Sequence, residues 1–469
     1  MSGAEVERLI AELDARLPGR VVTAGRRLRR CSTDFGLTCR AWPGVVVEAR
    51  SEADVVAALR AARAHGVPVS LRGAGHSVRG QTLSDGGLVI ANRGPSEPPR
   101  RLDGDLFEVS ARDLWWGVER ALRRHGRAVP VLADYLGLSV GGTLSVGVYG
   151  ADSIVHGALV DQVERLRLIR PDGDAVWCSA SEHPDLFRYG LAGLGEVGVI
   201  EKAVIRTVPY RPVTTLLTYA HRSFTDLVDS LAWMARDDAT GPELFKALVA
   251  GPRVLSTYGV TADSLRQAWT VAPPEDLRGR PVRRRLVAPR YRLWRHLTVL
   301  VWVARFGPSR HIWFDYLMGY DALREFASLV EDLLAADAFA GCLKSIYVVG
   351  IRRRPDAPDL PFEAAGKDGP PFKVGVGFYT MVPRHDDTRL ARVDAAADRC
   401  LGRCLELGGR PYLYGWHRLD RETLGRIYGD AVERLGDLRR ELDPEGLLRG
   451  GLASLTRSSE LSQRPKSSR

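Results

Sequence analysis

The sequence predicts an α+β chain of two domains, and three observations carry that prediction. Its 469 residues exceed what one ordinary hydrophobic core organises. From Gly44 onward the chain reads strand, helix, strand. From about 212 the pattern shifts to longer helical stretches interleaved with strands. A hydrophobic content of 45% with ten tryptophans fits a well-packed soluble protein. No run reaches the about 20 apolar residues of a membrane helix. The opening "MSGAEVERLIAELDARLPGR" lacks a basic segment followed by an apolar one, so it does not read as a secretory leader, and a cytoplasmic location is expected.

The elements follow in order. The opening segment is an amphipathic helix with Val6, Leu9, Ile10 and Leu13 on one face. "GVVVEA" is a β-branched strand. "SEADVVAALRAARAHG" starts at Ser51 as N-cap with Asp54 three residues on and ends at Gly66. Between them Val55, Val56, Leu59 and Ala62 recur at helical spacing. "VPVSLRG" is a second strand and runs straight into "RGAGHSVRGQ", Arg72 to Gln81, at the sheet end where ligands commonly bind. "GLVIANR" is a strand before a proline-rich turn at 95–99, and "LFEVSARDLWWGVERALRRHG" a strand and a helix. "AVPVLADYLGLSVGGTLSVGVYG" brings a second glycine-rich passage. "QVERLRLIRPDGDAVWCS" is a hairpin turning at Asp172-Gly173. "HPDLFRYGLAGLGEVGVIEKAVIRTVP" gives a short helix, a glycine turn and a strand. Beyond it "SFTDLVDSLAWMAR" and "YDALREFASLVEDLLAA" read as helices, "SIYVVGIRR" and "FKVGVGFYTMVP" as strands. "LGRIYGDAVERLGDLRRELDPEGLL" reads as a helix closed by a Pro-Gly turn, and 456–469 as a polar, disordered tail.

Charge and cysteine usage narrow the function. The net charge is +10, and "RGRPVRRRLVAPRYRLWRH" (Arg278 to His296) holds eight arginines and no acid. This run is either a solvated helix or loop, or a site for an anionic group on a substrate or partner. Nucleic-acid binding would need a recognisable binding module as well, and none is found. The six cysteines are scattered; Cys400 and Cys404 at i, i+4 have no further ligand beside them, so buried thiols are expected and no metal site or disulfide framework.

Two glycine motifs compete. "GLGEVG" (Gly193, Gly195, Gly198) matches G-x-G-x-x-G, but a helix precedes it and a strand follows, the reverse of a dinucleotide-binding turn. It is rejected. In "RGAGHS" the glycines can turn successive amides toward a pyrophosphate, and Ser77 adds a hydroxyl. A neutral imidazole at His76 can bond to an electrophilic carbon such as the 8-methyl group of an isoalloxazine. Taken alone, the motif also fits a loop histidine bonded to backbone.

Several segments in order give a resemblance: "STDFG" (32–36), "LRGAGHSVRGQ", "DYLGLSVGGTLS" (134–145), "HG" at 156–157 and "HPDLFRYGLAGLGEVGVI" (183–200). Together they resemble the FAD-linked oxidases of the vanillyl-alcohol oxidase type, which share a PCMH-type FAD-binding domain, and within them the cytokinin dehydrogenases. The likeness is strong over 30–210 and thin afterwards, resting on "HIWFD" (311–315), "YL" (412–413) and "DPEGLL" (443–448).

The resemblance implies FAD, held by a single covalent link through His76. It implies cofactor contacts from Gly73, Ala74, Gly75, Ser77, Gln81, Asp134, Ser139, Gly142, Ser145, Ile200 and Tyr412. Asp134 matches the family's catalytic aspartate, which accepts a hydrogen bond or proton from substrate while hydride leaves the adjacent carbon for flavin N5. That role requires Asp134 to stay ionised, hence a polar neighbour. Tyr135 stands where berberine-bridge enzymes have a second flavin-linking cysteine. Ala74 replaces an arginine common in plant cytokinin dehydrogenases. "RGGL" (449–452) replaces the usual polar C-terminal contacts, and Trp313 is either a pocket wall or a core residue.

The implied architecture is a flavin-binding domain over 1–210 that returns at 409–455, with a substrate domain inserted over 211–408. The implied reaction is an oxidase or dehydrogenase reaction on a C–N substrate carbon of the cytokinin type, with dioxygen or a quinone-like acceptor closing the cycle. The alternative is oxidation of an alcohol, sugar or secondary-metabolite intermediate, anionic or carrier-bound, at Arg278–Arg295. A basic binding protein without flavin would leave both glycine loops unexplained.

Overall fold

The computed structural model describes residues 3–92, 94–236, 241–272, 277–288, 295–297, 299, 309–366 and 369–452. The tail expected to be disordered and arginines 290 and 292 of the basic run lie outside these residues.

The first sheet orders its strands Val21–Val22, Val45–Ala49, Leu88–Asn92, Val69–Arg72, Leu448–Arg449. Its three middle strands are parallel, and Leu448–Arg449 adds in parallel to Val69–Ser70. The crossover is the helix Glu52–Ala64, capped at Ser51, whose Oγ accepts from the Asp54 N–H at 3.2 Å. Its Val55, Ala58, Leu59 and Ala62 are buried with Leu9 and Leu13 of the helix Gly3–Arg16 and with Val45, Val47, Leu88 and Ile90. Leu88–Asn92 is buried at every position, as a central parallel strand covered on both faces should be. The glycine loop therefore leaves the end of an inner strand.

The second sheet is antiparallel, in the order Arg100–Arg101, Leu106–Ser110, Val199–Arg206, Val163–Ile169, Ala175–Ser179. Its last two strands pair as the hairpin read from sequence, turning at Asp172-Gly173. The helix Pro184–Gly190 precedes "GLGEVG" and Val199–Arg206 follows it, so the order that excludes a dinucleotide-binding turn is the order found.

The third sheet has eight strands: Arg280–Val287, Val213–His221, Arg253–Ala262, Leu244–Ala250, Leu343–Arg352, Phe372–Pro383, Ser309–Gly319 and Arg410–Pro411. This corrects the helical character read after 212: the region is built on strands. Their alternation was blurred because the face that looks away from the helices carries Lys246, Asp315, Gly375 and Gly377 among aromatics. The opposite face is apolar: Ala247, Ile346, Val348, Val374, Val376, Phe378, Phe314 and Tyr316 form one buried cluster with residues of the helices Tyr320–Ala335 and Asp387–Glu406.

Three local readings change. "SFTDLVDSLAWMAR" holds a short helix, Phe224–Asp229, and a separate turn, Ala232–Ala235. "LGRIYGDAV…" is two helices, Arg421–Tyr428 and Asp430–Leu442, broken where Gly429 takes φ 50°. The basic run is neither helix nor loop over Arg280–Val287 but the edge strand of the large sheet, where arginines discourage unwanted strand pairing. Cys400 and Cys404 are buried free thiols on Asp387–Glu406. Among the described residues no cluster could hold a metal ion, and no helix is long and apolar enough to cross a membrane.

Candidate functional site

A cavity of about 1240 Å³ is lined from all three sheets. Its first part is built by the two glycine-rich loops and the turn before Val199–Arg206. Gly73, Ala74, Gly75, His76, Ser77, Gln81, Asp134, Ser139, Gly142, Ser145, Ile200 and Tyr412 all face it, as does Trp313. Every residue carried over from sequence is thus brought to one cavity.

The loops touch closely. A Cβ on Gly73 would meet Ser139 Oγ at 2.2 Å, so only glycine allows this approach. Ser139 Oγ accepts from the Ala74 N–H at 3.1 Å, joining the first loop to the second. Asp34 of the "STDFG" segment accepts from the N–H groups of Thr38 at 3.0 Å and Gly80 at 2.9 Å, which clamps that segment against the far end of the loop. His76 is stacked on Phe35 of the same segment, ring centroids 4.6 Å apart, and lies 4.8 Å from the Tyr135 ring.

Gln81 spends its side chain inside the protein: Oε1 accepts from the Arg79 N–H at 3.0 Å, and Nε2 donates to the Tyr414 carbonyl at 2.8 Å. Asn92 also lines the cavity, and its Oδ1 is buried with no hydrogen-bond partner among the described residues. A buried polar atom of this kind calls for a partner from a ligand or water. Glycine cradle, hydroxyls and orphaned carbonyl oxygen fit a phosphate-bearing cofactor with a hydrogen-bonding ring.

The roof is the open face of the large sheet. Leu248 and Ala250, Tyr347 and Val349, Gly375, Gly377 and Tyr379, and Trp313 and Asp315 project into the cavity at every second residue of their strands. Two carboxylates stand there in opposite environments.

Asp134 Oδ2 receives Arg295 Nε at 3.0 Å, Lys246 Nζ at 3.2 Å and the Tyr347 hydroxyl at 3.3 Å. Burial alone would raise its pKa, but the two cations outweigh burial and hold the carboxyl well below the usual range. The polar neighbour demanded from sequence is therefore a pair of cations and a phenol. Lys246 answers in kind: burial, reinforced by Arg295 and opposed by Asp134, brings the amine down to about 7.

Asp315 lies among phenols. Its Oδ2 accepts from Tyr414 at 2.8 Å and its Oδ1 from Tyr379 at 3.4 Å. Burial pushes the carboxyl up to about 7 against those two hydrogen bonds. Gly377 makes room for it, since a Cβ there would meet Oδ1 at 2.0 Å.

Sequence reasoning missed Lys246, Tyr347, Asp315, Tyr379 and Tyr414 as a group. Asp315 stood unremarked inside "HIWFD", and Lys246 is one of only six lysines among 67 basic residues. Among its described residues the arginine run does not form one site. Arg295 enters the cavity, whereas Arg284 donates to the Trp269 carbonyl at 2.6 Å and stacks over the Trp269 ring.

The cavity fits a phosphate-bearing cofactor, and comparison names one: residues 43–179 match the family model described as an FAD binding domain. That part of the chain is a PCMH-type FAD-binding domain. Among individual proteins, the chain is 38% identical over 196 residues to "Uncharacterized oxidoreductase ORF5 in fasciation locus" of Rhodococcoides fascians, covering 42% of each chain. It is 37% identical over 222 residues to "Cytokinin dehydrogenase 1" of Oryza sativa subsp. japonica, covering 45% of this chain and 42% of that one. "Cytokinin dehydrogenase 6" of the same plant is 33% identical over 209 residues, with 42% and 39% covered. The matches thus span less than half the length of these curated relatives. A solved chain titled "Structure of FgChi7B" superposes with a TM-score of 0.75 over 96% of this chain and 99% of that one, at 15% identity. That likeness is one of fold.

Proposed function

We propose that the protein is an FAD-dependent oxidoreductase that removes a hydride from a C–N or C–O carbon of a small substrate lying under the large sheet. The single observation that carries this reading is Asp134: an ionised carboxylate on the cavity wall, next in sequence to Tyr135, whose ring lies 4.8 Å from that of His76. The FAD domain would take 1–210 and 409–455, with 211–408 inserted as the cover, and His76 would bear the cofactor. Bound there, FAD would supply a two-electron acceptor for hydride. Gly73, Ala74, Gly75, Ser77, Ser139, Gly142, Ser145 and Ile200 would hold it, with Asn92 as a further polar contact.

The chain's own residues supply the rest. All three donors to Asp134 converge on Oδ2, and among the described residues none reaches Oδ1. Oδ1 accepts the substrate N–H or O–H and orients the adjacent C–H. The sheet face with Leu248, Val349 and Trp313 excludes water.

A second reading, oxidation of an alcohol or sugar, is favoured by the Asp315–Tyr414 pair. A carboxyl held near neutral pH against a phenol can take a hydroxyl proton, and two acids with separated pKa values divide such roles between them. An anionic substrate group would reach Arg295, whereas an acidic carrier domain would reach the edge strand Arg280–Val287. Anaerobic mixing of the FAD-loaded protein with an N6-alkyladenine and, separately, with aldoses tests both readings. Bleaching of the flavin by the adenine supports the first, bleaching by aldoses the second; bleaching by neither removes both.

A further inference from the structure

We propose that Lys246 stores the proton that the substrate gives to Asp134, so that the two side chains work as a relay. The inference rests on the reading above and adds a residue to it.

Geometry carries it. Lys246 shares the face of its strand with Leu248 and Ala250, which line the cavity, but stands behind Asp134 rather than on the wall. Its side chain is 12% exposed and that of Asp134 16%. Among the described residues the charged and titratable groups facing it are Asp134, Arg295 and Tyr347; its cross-strand neighbours Thr257 and Val349 carry no charge. Asp134 thus lines the cavity and presents Oδ2 to Lys246.

The chemistry follows from this order. A carboxylate flanked by two full cations is a very weak base and cannot keep a substrate proton. With Lys246 neutral, one cation is gone and Asp134 regains basicity. The substrate N–H or O–H bond breaks and its proton goes to Oδ1; the carboxyl group then turns about Cβ–Cγ to bring that O–H to Nζ, whose lone pair takes the proton, and Lys246 becomes an ammonium. Asp134 begins and ends as a carboxylate. The hydride of the neighbouring C–H, with its electron pair, goes to FAD, the acceptor of the reading above. Lys246 acts through Asp134 and touches no substrate, so it is a positioning residue. An amine near 7 is free to fill this role at neutral pH.

Two measurements test it. The chain has only six lysines, so 13Cε-lysine labelling gives a short NMR spectrum in which Lys246→Met assigns the signal. The expected midpoint is about 7, moving lower in Asp134→Asn. A midpoint in the ordinary lysine range, above about 10, overturns the proposal without any substrate.

The second measurement is the rate of flavin reduction by an N6-alkyladenine against pH. The wild-type rate should rise about tenfold per pH unit below 7 and level off above. Lys246→Arg, which is always charged, should be slower by about a hundredfold with no such rise. Lys246→Met should also lose the limb at 7. Wild-type rate and profile in Lys246→Arg would make the lysine a mere ion-pair anchor. A wild-type flavin that no substrate reduces defeats the functional reading instead, and the NMR midpoint still decides the pair.

Discussion

Gln81 Nε2 donates to the Tyr414 carbonyl at 2.8 Å, and the Tyr414 hydroxyl donates to Asp315 at 2.8 Å. The glycine loop and the buried carboxyl of the roof are thereby two side chains apart. Gln81→Leu removes the first bond and leaves the Tyr414 carbonyl unsatisfied, which costs about 1–3 kcal/mol. FAD retention in gel filtration should fall and the melting temperature should drop; unchanged values for both would show that the bond is dispensable.

His76→Ala should release the flavin on acid precipitation. Yellow colour is expected in the wild-type pellet and in the variant's supernatant. Colour in the wild-type supernatant would make His76 a neighbour of the flavin rather than its anchor.

Asp134→Asn strands Lys246 and Arg295 without their shared counter-ion. Breaking a largely buried charge cluster costs about 3 kcal/mol, so a clear fall in melting temperature should accompany slower flavin reduction. The sign with pH follows from a folded pKa below the ordinary 3.8. The stabilisation is present above the unfolded value and is lost as pH falls below about 4, so acid sensitivity in that range should weaken in the variant.

Asp315 behaves oppositely. Its folded pKa of about 7 lies above the ordinary 3.8, so the native state holds an extra proton between those values. Stability from this group is full below about 4 and declines as pH rises through 7. Asp315→Asn should flatten that decline in urea melts run from pH 4 to 8. A slope equal to that of the wild type would locate the decline elsewhere.

The arginines separate a small anionic substrate from a protein partner. Arg295→Gln should raise KM for a carboxylate-bearing substrate about tenfold or more, since charged hydrogen bonds are worth about 1.5–3 kcal/mol. Arg283→Gln with Arg285→Gln should leave that KM alone and weaken only capture of an acidic carrier domain. A changed KM in the double variant would place the edge strand in substrate binding.

The first two hundred residues were legible because their signals are local. Ser51 and Gly66 bound a helix, Asp172-Gly173 turns a hairpin, and His76 stands among glycines that admit Ser139. The roof was not legible. Asp315 and Tyr379 meet only through the pairing of their strands, and Tyr414 joins them from the turn after Arg410–Pro411, so single residues far apart in the chain leave no spacing to read. The large sheet was masked as well, because Gly375 and Gly377 weaken a strand pattern while serving the cavity.

The pairing of Leu448–Arg449 with Val69–Ser70 has a consequence for biosynthesis. The strand that leads to His76 is synthesised long before its outer neighbour, which follows the whole of the large sheet in sequence. The nascent chain therefore carries an unfinished sheet edge beside its glycine loop until 448–449 have been made. A product truncated before 448 would lack that edge strand and keep Val69–Arg72 open on its outer side.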